Sequence, residues 1–169
     1  NVTYHFTHEN RKNDDLISYQ NVYDFTMIEE YLEKATKSII QNAGQFKPEI
    51  IHSASNFVVG MAGARAAKVL GIPSIYEIRG FWHLTQSTKR HGYEGSDHYN
   101  LTEKLEIETA KASDHVFTIT SALKKILVEN GVSEDKISVL PNAVNLSKFK
   151  LSPKDNNLEK ELKFQNKVI

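Results

Sequence analysis

Between Pro48 and Asn145 the chain alternates short apolar runs with longer stretches of helical spacing, and this alternation restricts the fold more than any other feature. Strands are expected at Glu49–Ser53, Ser74–Ile78, His115–Ile119 and Lys136–Leu140, and helices at Phe57–Leu70, Asp97–Lys111 and Ala122–Asn130. That order gives an α/β chain with a mostly parallel sheet covered by helices. In such sheets ligands sit beyond the carboxyl ends of the strands. Those ends carry Ser53-Ala54-Ser55-Asn56, Glu77-Ile78-Arg79-Gly80-Phe81-Trp82, Thr120-Ser121 and Pro141-Asn142. Four polar corners thus share one rim, and function is expected there.

Local signals sharpen the outline. Phe25, Ile28, Tyr31, Leu32, Ala35, Ile39 and Ile40 recur at helical spacing, which reads as a helix covering one sheet face and stopping near Gly44. Ahead of it, Val2–Phe6 alternates like a short strand and Thr7–Asn21 reads as a surface loop. Ser55 or Asn56 can cap the helix from Phe57, whose small residues (Gly60, Ala62, Gly63, Ala64, Ala66, Ala67) let it lie close on a sheet. Gly71 ends that helix and Pro73 opens the next strand. Residues 79–96 show no period and are longer than the ~12–15 residues of an ordinary loop, a property associated with function. The tail from Ser152 to Lys167 reads as a charged linker with a helical stretch.

Composition removes several classes. The 169 residues suit one domain, and 21 basic residues balance 21 acidic ones, so the basic excess of a nucleic-acid binder is missing. Without cysteine there is no disulfide framework or thiolate metal site. No run of about 18 apolar residues occurs. The first residue is Asn1 rather than Met, and Asn166–Ile169 looks like the opening of another strand, so the chain reads as a piece of a longer protein.

At the rim, His52 reads either as a hydrogen-bonded core residue or as a catalyst. Ser53, Ser55 and Asn56 lie where a helix N-terminus offers free N–H groups to a phosphate, or else simply cap the helix. Glu77 and Arg79, two apart on a strand, point to the same side and can pair with each other. The preferred reading makes Arg79 a ligand contact, because its guanidinium fork suits phosphate or carboxylate. Trp82 can stack on a sugar ring or pack the loop. His83, His91, His98 and Asp97 follow no zinc-ligand spacing, so no metal is expected. Phosphate-cradling Gly-Lys loops, Gly-x-Gly-x-x-Gly and Gly-x-Ser-x-Gly are all missing.

Taken together, Pro48-Glu49-Ile50-Ile51-His52-Ser53, Asn56…Gly60, Leu70-Gly71-Ile72-Pro73 and Tyr76-Glu77-Ile78-Arg79-Gly80-Phe81-Trp82 resemble the family-four glycosyltransferases. Glu94-Gly95-Ser96, Leu105-Glu106, Ser113-Asp114-His115-Val116, Ile119-Thr120 and Leu140-Pro141-Asn142-Ala143-Val144-Asn145 extend the similarity, which covers roughly residues 48–150. The resemblance implies a GT-B enzyme, in which two Rossmann-like, doubly wound domains with helices on both sheet faces meet at a cleft. This chain is then the acceptor-side, amino-terminal domain over residues 1–150, lacking its first strands. Residues 151–169 would be a linker and the start of a donor-binding domain. The family often carries a second His two places after the first; Ala54 stands there in this chain.

The implied chemistry is sugar transfer, with retention, from a nucleoside-diphosphate sugar to a saccharide or lipid-linked acceptor in surface polysaccharide synthesis, with no cofactor. His52 is the catalytic candidate, and Ser53, Ser55, Asn56, Glu77, Arg79, Trp82, Glu94, Ser121 and Asn142 are the acceptor- and phosphate-binding candidates. A cytoplasmic place follows, with Lys89, Arg90 and His91 as a patch for the inner face of a membrane if the acceptor is lipid-linked. Loss of the first strand would expose the edge of Glu49–Ser53, to be filled by Val2–Phe6 or by a second copy of the chain. Two other readings stand beside this one: a nucleotide-sugar epimerase on the same plan, and a non-catalytic sugar-phosphate binding or assembly module.

Overall fold

In the computed structural model, residues 25–150 and 155–163 are described. The order is α1 (Phe25–Phe46), β1 (Ile51–Ala54), α2 (Phe57–Leu70), β2 (Ser74–Ile78), α3 (Trp82–Ser87), α4 (Asp97–Ala112), β3 (His115–Thr118), α5 (Ser121–Glu129), a 3₁₀ turn (Glu134–Lys136), β4 (Ile137–Val139) and α6 (Asn156–Glu161). The four strands form one parallel sheet in the order β1-β2-β3-β4. This is the α/β, Rossmann-like plan. Expected strand Val2–Phe6, loop Thr7–Asn21 and the strand opening at Asn166–Ile169 lie outside the described residues.

The elements form for local reasons. Asn56 sits in extended backbone, and its Oδ1 accepts from the N–H groups of Val58 (3.1 Å) and Val59 (3.2 Å), which fixes the start of α2. Gly71 closes α2 at φ 68°, and the Ile72 N–H returns to the Ala67 carbonyl at 3.1 Å. Two expectations need correction. Gly44 does not stop α1, which runs two residues further to Phe46. The stretch 79–96 is not wholly irregular, because α3 forms within it.

Each crossover steps to the next strand in the same direction, and right-handed crossovers then put their helices on one face. The row Ser53–Tyr76–Val116–Ile137 runs across the four strands and faces those helices. Tyr76, Ile78 and Val116 bury against Ile107 and Ala110 of α4 and Leu127 of α5. Helix α2 approaches so closely that a Cβ on Gly60 would come within 2.6 Å of the Tyr76 ring and of Thr109. On its outer side α2 receives α1 through Ile28 and Leu32 against Phe57, Val58 and Ala62, with Arg65 forking onto Glu29 (Nη2 to Oε2, 3.0 Å). Of the two helical layers expected, the described residues supply this one. The far face shows His52, Ala54, Ile75, Glu77, His115 and Phe117, all partly or largely exposed.

The amino ends of β2 and β3 are latched. Asp114 accepts from the backbone N–H and the hydroxyl of Ser74, both at 2.8 Å, and the Asp114 N–H donates to that hydroxyl at 3.1 Å. The bonds from Ser74 hold the Asp114 carboxyl below its ordinary range. A depressed folded value stabilises above the unfolded one and is lost as pH falls through the folded value. Asp114→Ala should therefore cost about 1–2 kcal/mol at neutral pH, kept low because the carboxylate is solvent-exposed. In urea melts the deficit should begin to shrink as the pH falls below about 4 and go on shrinking through the lower folded value.

Candidate functional site

Strand register assembles the site. His52 pairs with Ile75, and Ala54 with Glu77, so the pleat sends His52 and Glu77 to the far face on neighbouring strands. His52 Nε2 lies 3.0 Å from Glu77 Oε2. The other carboxylate oxygen, Oε1, accepts from Arg79 Nε at 2.7 Å. The Arg79 bond is the main reason the Glu77 carboxyl stays below its usual range, and His52 adds to it. Glu77 is an acceptor only, so this bond takes a proton on His52 Nε2, and with the ring neutral Nδ1 is an acceptor that has no partner among the described residues. Arg79 projects past the strand end with its side chain 64% exposed, and among the described residues Glu77 is its one partner. The Nη groups are therefore free to donate.

Ser55 follows β1 at φ 107°, a strained value for a residue with a side chain. Its N–H donates to the Glu77 carbonyl (3.1 Å), and its own carbonyl accepts from the Tyr76 hydroxyl (3.4 Å). Burial pushes the Tyr76 hydroxyl far up, so it remains a donor. Ser55 thus ties the β1 corner to the strand carrying Glu77.

The remaining candidates sit differently. Ser53 points to the opposite face, buried against Gly63 of α2. Asn56 is buried and spends its side-chain oxygen on the α2 cap. Trp82 opens α3 and is half-buried. Glu94 is exposed in the turn before α4. Ser121 is exposed as the first residue of α5, whose cap is Thr120. Asn142 is exposed after β4. The structure therefore joins His52, Glu77, Arg79 and Ser55, and does not bring Ser53 to them.

A second polar cluster was missed in the sequence reading. His83 and Glu106 are each only 1% exposed, with His83 Nδ1 2.6 Å from Glu106 Oε2. Glu106 Oε1 accepts the Trp82 backbone N–H at 2.6 Å. Glu103 lies 3.7 Å from the other ring nitrogen, and Tyr99 meets the ring edge-on at 4.9 Å. A signal existed, because Thr102, Glu106 and Thr109 share one buried stripe of α4 at spacings of four and three. A lone acid on an inward stripe demands a partner.

Among the described residues no group of three or more His, Cys, Asp or Glu could hold a metal ion, and no helix is long and apolar enough to cross a membrane.

No curated protein matches the chain in sequence. Among solved structures, the Anabaena protein HepE, crystallised with UDP-glucose, superposes with a TM-score of 0.58 at 17% identity, covering 78% of this chain and 33% of that one. MnaA of S. aureus, solved with UDP, gives 0.48 at 17% identity over 69% of this chain and 29% of its own. The UDP-GlcNAc 2-epimerase of Neisseria meningitidis, bound to UDP-GlcNAc, gives 0.47 at 19% over 70% and 30%. This chain spans about a third of the length of each. At such identities the HepE likeness speaks for the fold. The family model for Glycosyltransferase Family 4 matches residues 5–148, a span that includes every strand of the sheet and the whole His52–Glu77–Arg79 rim, and the chain belongs to that family.

Proposed function

We propose that this chain is the acceptor-side half of a retaining glycosyltransferase, one that moves a sugar from a nucleoside-diphosphate sugar to a saccharide or lipid-linked acceptor in surface polysaccharide synthesis. The observation that carries the reading is the Arg79 fork, held by Glu77 at the strand-end rim with its Nη groups open. Membership of Glycosyltransferase Family 4 and the likeness to HepE, crystallised with UDP-glucose, support it.

In such a transfer the bond from the sugar C1 to the diphosphate oxygen breaks, and one from C1 to the acceptor oxygen forms. The acceptor hydroxyl proton leaves toward the departing diphosphate. Negative charge grows on that diphosphate, so prepositioned donors lower the barrier more than flexible ones. Arg79 offers such donors to the diphosphate or to an anionic acceptor. His52 Nδ1 can accept a hydrogen bond from the acceptor hydroxyl and fix its direction. Ser55 holds the neighbouring corner rigid. In this reading the enzyme is cytoplasmic, and Lys89 and His91, exposed beside Arg90 on the turn after α3, would meet an anionic membrane face.

The His52–Glu77 pair also supports a second reading, a nucleotide-sugar epimerase, since a hydrogen-bonded imidazole and carboxylate at the strand-end rim suit proton transfer. One assay separates the two. A protein carrying this domain with its donor-binding partner is incubated with a panel of nucleotide-sugars, with and without saccharide acceptors, and residues 1–169 are run alongside. Acceptor-dependent release of the nucleoside diphosphate by the longer protein, and none by the 169 residues, is the expected result. An epimerised nucleotide-sugar without acceptor would replace the transferase by the epimerase. No turnover anywhere in the panel, with saccharides still binding, would replace both by a binding module.

A further inference from the structure

Helices α2, α4, α5 and α6 are each capped by the residue just before them: Asn56, Ser96, Thr120 and Asp155. Helix α3 is not. Its preceding residue is Phe81, which is buried and has no side-chain acceptor. The acceptor comes instead from α4, 24 residues along the chain: Glu106 takes the Trp82 N–H at 2.6 Å and approaches the His83 N–H at 3.5 Å. A buried carboxylate is a costly way to cap six residues, and His83 has to sit beside it to make it tolerable. A Ser or Asp at position 81 would do the capping alone. What the long-range cap does beyond capping is lock the Phe81–Trp82 backbone to α4, two residues after Arg79 leaves the sheet.

We propose that Glu106 and His83 are positioning residues for the rim site: their pair sets where Trp82 lies and, through the short link Gly80–Phe81, the direction in which Arg79 presents its fork. The proposal rests on the transferase reading above for its functional half, but its structural half stands without it. Between the Glu77 bond at one end and the Glu106 cap at the other, the segment 79–82 is held at both ends. Double anchoring of this kind gives a charged side chain one aim rather than several, and small misplacements at a reacting centre cost large factors in rate.

Trp82 is the sole tryptophan of the chain, so its fluorescence reports this segment directly. The test compares wild type, Glu106→Gln, Glu106→Ala and Asp114→Ala, the last weakening the opposite end of the sheet. Trp82 emission and acrylamide quenching are measured on the 169-residue chain. The acceptor and donor kcat/KM are measured on a protein that also carries the donor-binding domain. Glu106→Gln keeps an oxygen for the Trp82 N–H and replaces the oxygen facing His83 Nδ1 by an amide NH2, so it should fall between wild type and Glu106→Ala. Quenching should rise and acceptor kcat/KM should fall in that order, reaching about 10- to 100-fold for Glu106→Ala, while the donor KM stays near wild type. Asp114→Ala should leave both readouts unchanged in its folded state. If Glu106→Ala does not fold, Glu106→Gln against wild type decides alone. Unchanged Trp82 quenching in the Glu106 variants, or a shifted Trp82 with wild-type acceptor kcat/KM, overturns the proposal. An equal activity loss in Asp114→Ala does the same, because the effect is then one of stability. A wild type that turns over no donor overturns the transferase reading, and with it the functional half, while the quenching series still judges the cap.

Discussion

His83→Leu is expected to lower the free energy of unfolding by about 3–5 kcal/mol, a large share of the roughly 5–15 kcal/mol of an ordinary domain. The reason lies in what remains behind. Glu106 is 1% exposed, and without the imidazole its carboxylate keeps only the backbone N–H groups at the start of α3. A buried charge stripped of its partner costs far more than the pair contributes when intact. Leucine roughly preserves volume beside Phe81 and Tyr99, which touch the His83 ring, so the loss should not come from a cavity. Glu106→Leu alone should cost a similar amount. The double variant should recover part of the loss and no more than part, since the Trp82 N–H then lacks its acceptor. Urea unfolding of the four proteins gives the cycle, and the coupling between the two sites should exceed about 1 kcal/mol. Additive losses would mean that the two side chains act independently.

The same pair marks how far the sequence could be read. The βα alternation, the span of α2, the Gly71 stop and all four strands were legible because each rests on local signals: apolar runs, small residues, and turn residues at fixed places. Strand ends shifted by one or two residues, as hydrogen bonding rather than composition decides them. Helix α3 was not legible, because its cap comes from Glu106 and not from its own flank. The His83–Glu106 contact spans 23 residues, and only the inward stripe of α4 hinted at it. At the rim, the Glu77–Arg79 pair was visible in their period-two spacing. The addition of His52 needed the register of β1 against β2, which no single strand encodes. Register also explains Ser53: next to His52 on a pleated strand, it must face the other way, into α2.

Arg79→Ala should reduce kcat by about 10²- to 10³-fold in a protein that pairs this domain with its donor half, with little change in melting temperature. Stability should hold because the side chain is 64% exposed and its single ion pair with Glu77 is of the kind that contributes little to folding. The rate should fall because a guanidinium fixed through Nε presents its remaining N–H groups without paying to organise them at the moment of charge build-up. Arg79→Lys separates charge from geometry. A lysine keeps the cation but has no fork to be held by Glu77 and opened toward a ligand at once, so it should restore only a small part of the rate. Glu77→Gln tests the anchor itself. It leaves Arg79 charged and loosens its aim, so a loss of about tenfold is expected, smaller than that of Arg79→Ala. Glu77 is held below its usual range, so its ionised form persists as pH falls from neutrality and is lost only below the ordinary carboxylate range near pH 4. Between pH 6 and 8 Glu77 itself should therefore stay ionised, and its own titration should not enter the ratio of wild-type to Glu77→Gln rates. A wild-type rate for Arg79→Ala would remove the fork from the reaction and leave His52 and Ser55 as the rim groups to test. Equal losses for Arg79→Ala and Arg79→Lys, with Glu77→Gln intermediate, would show that direction rather than charge is what the rim supplies.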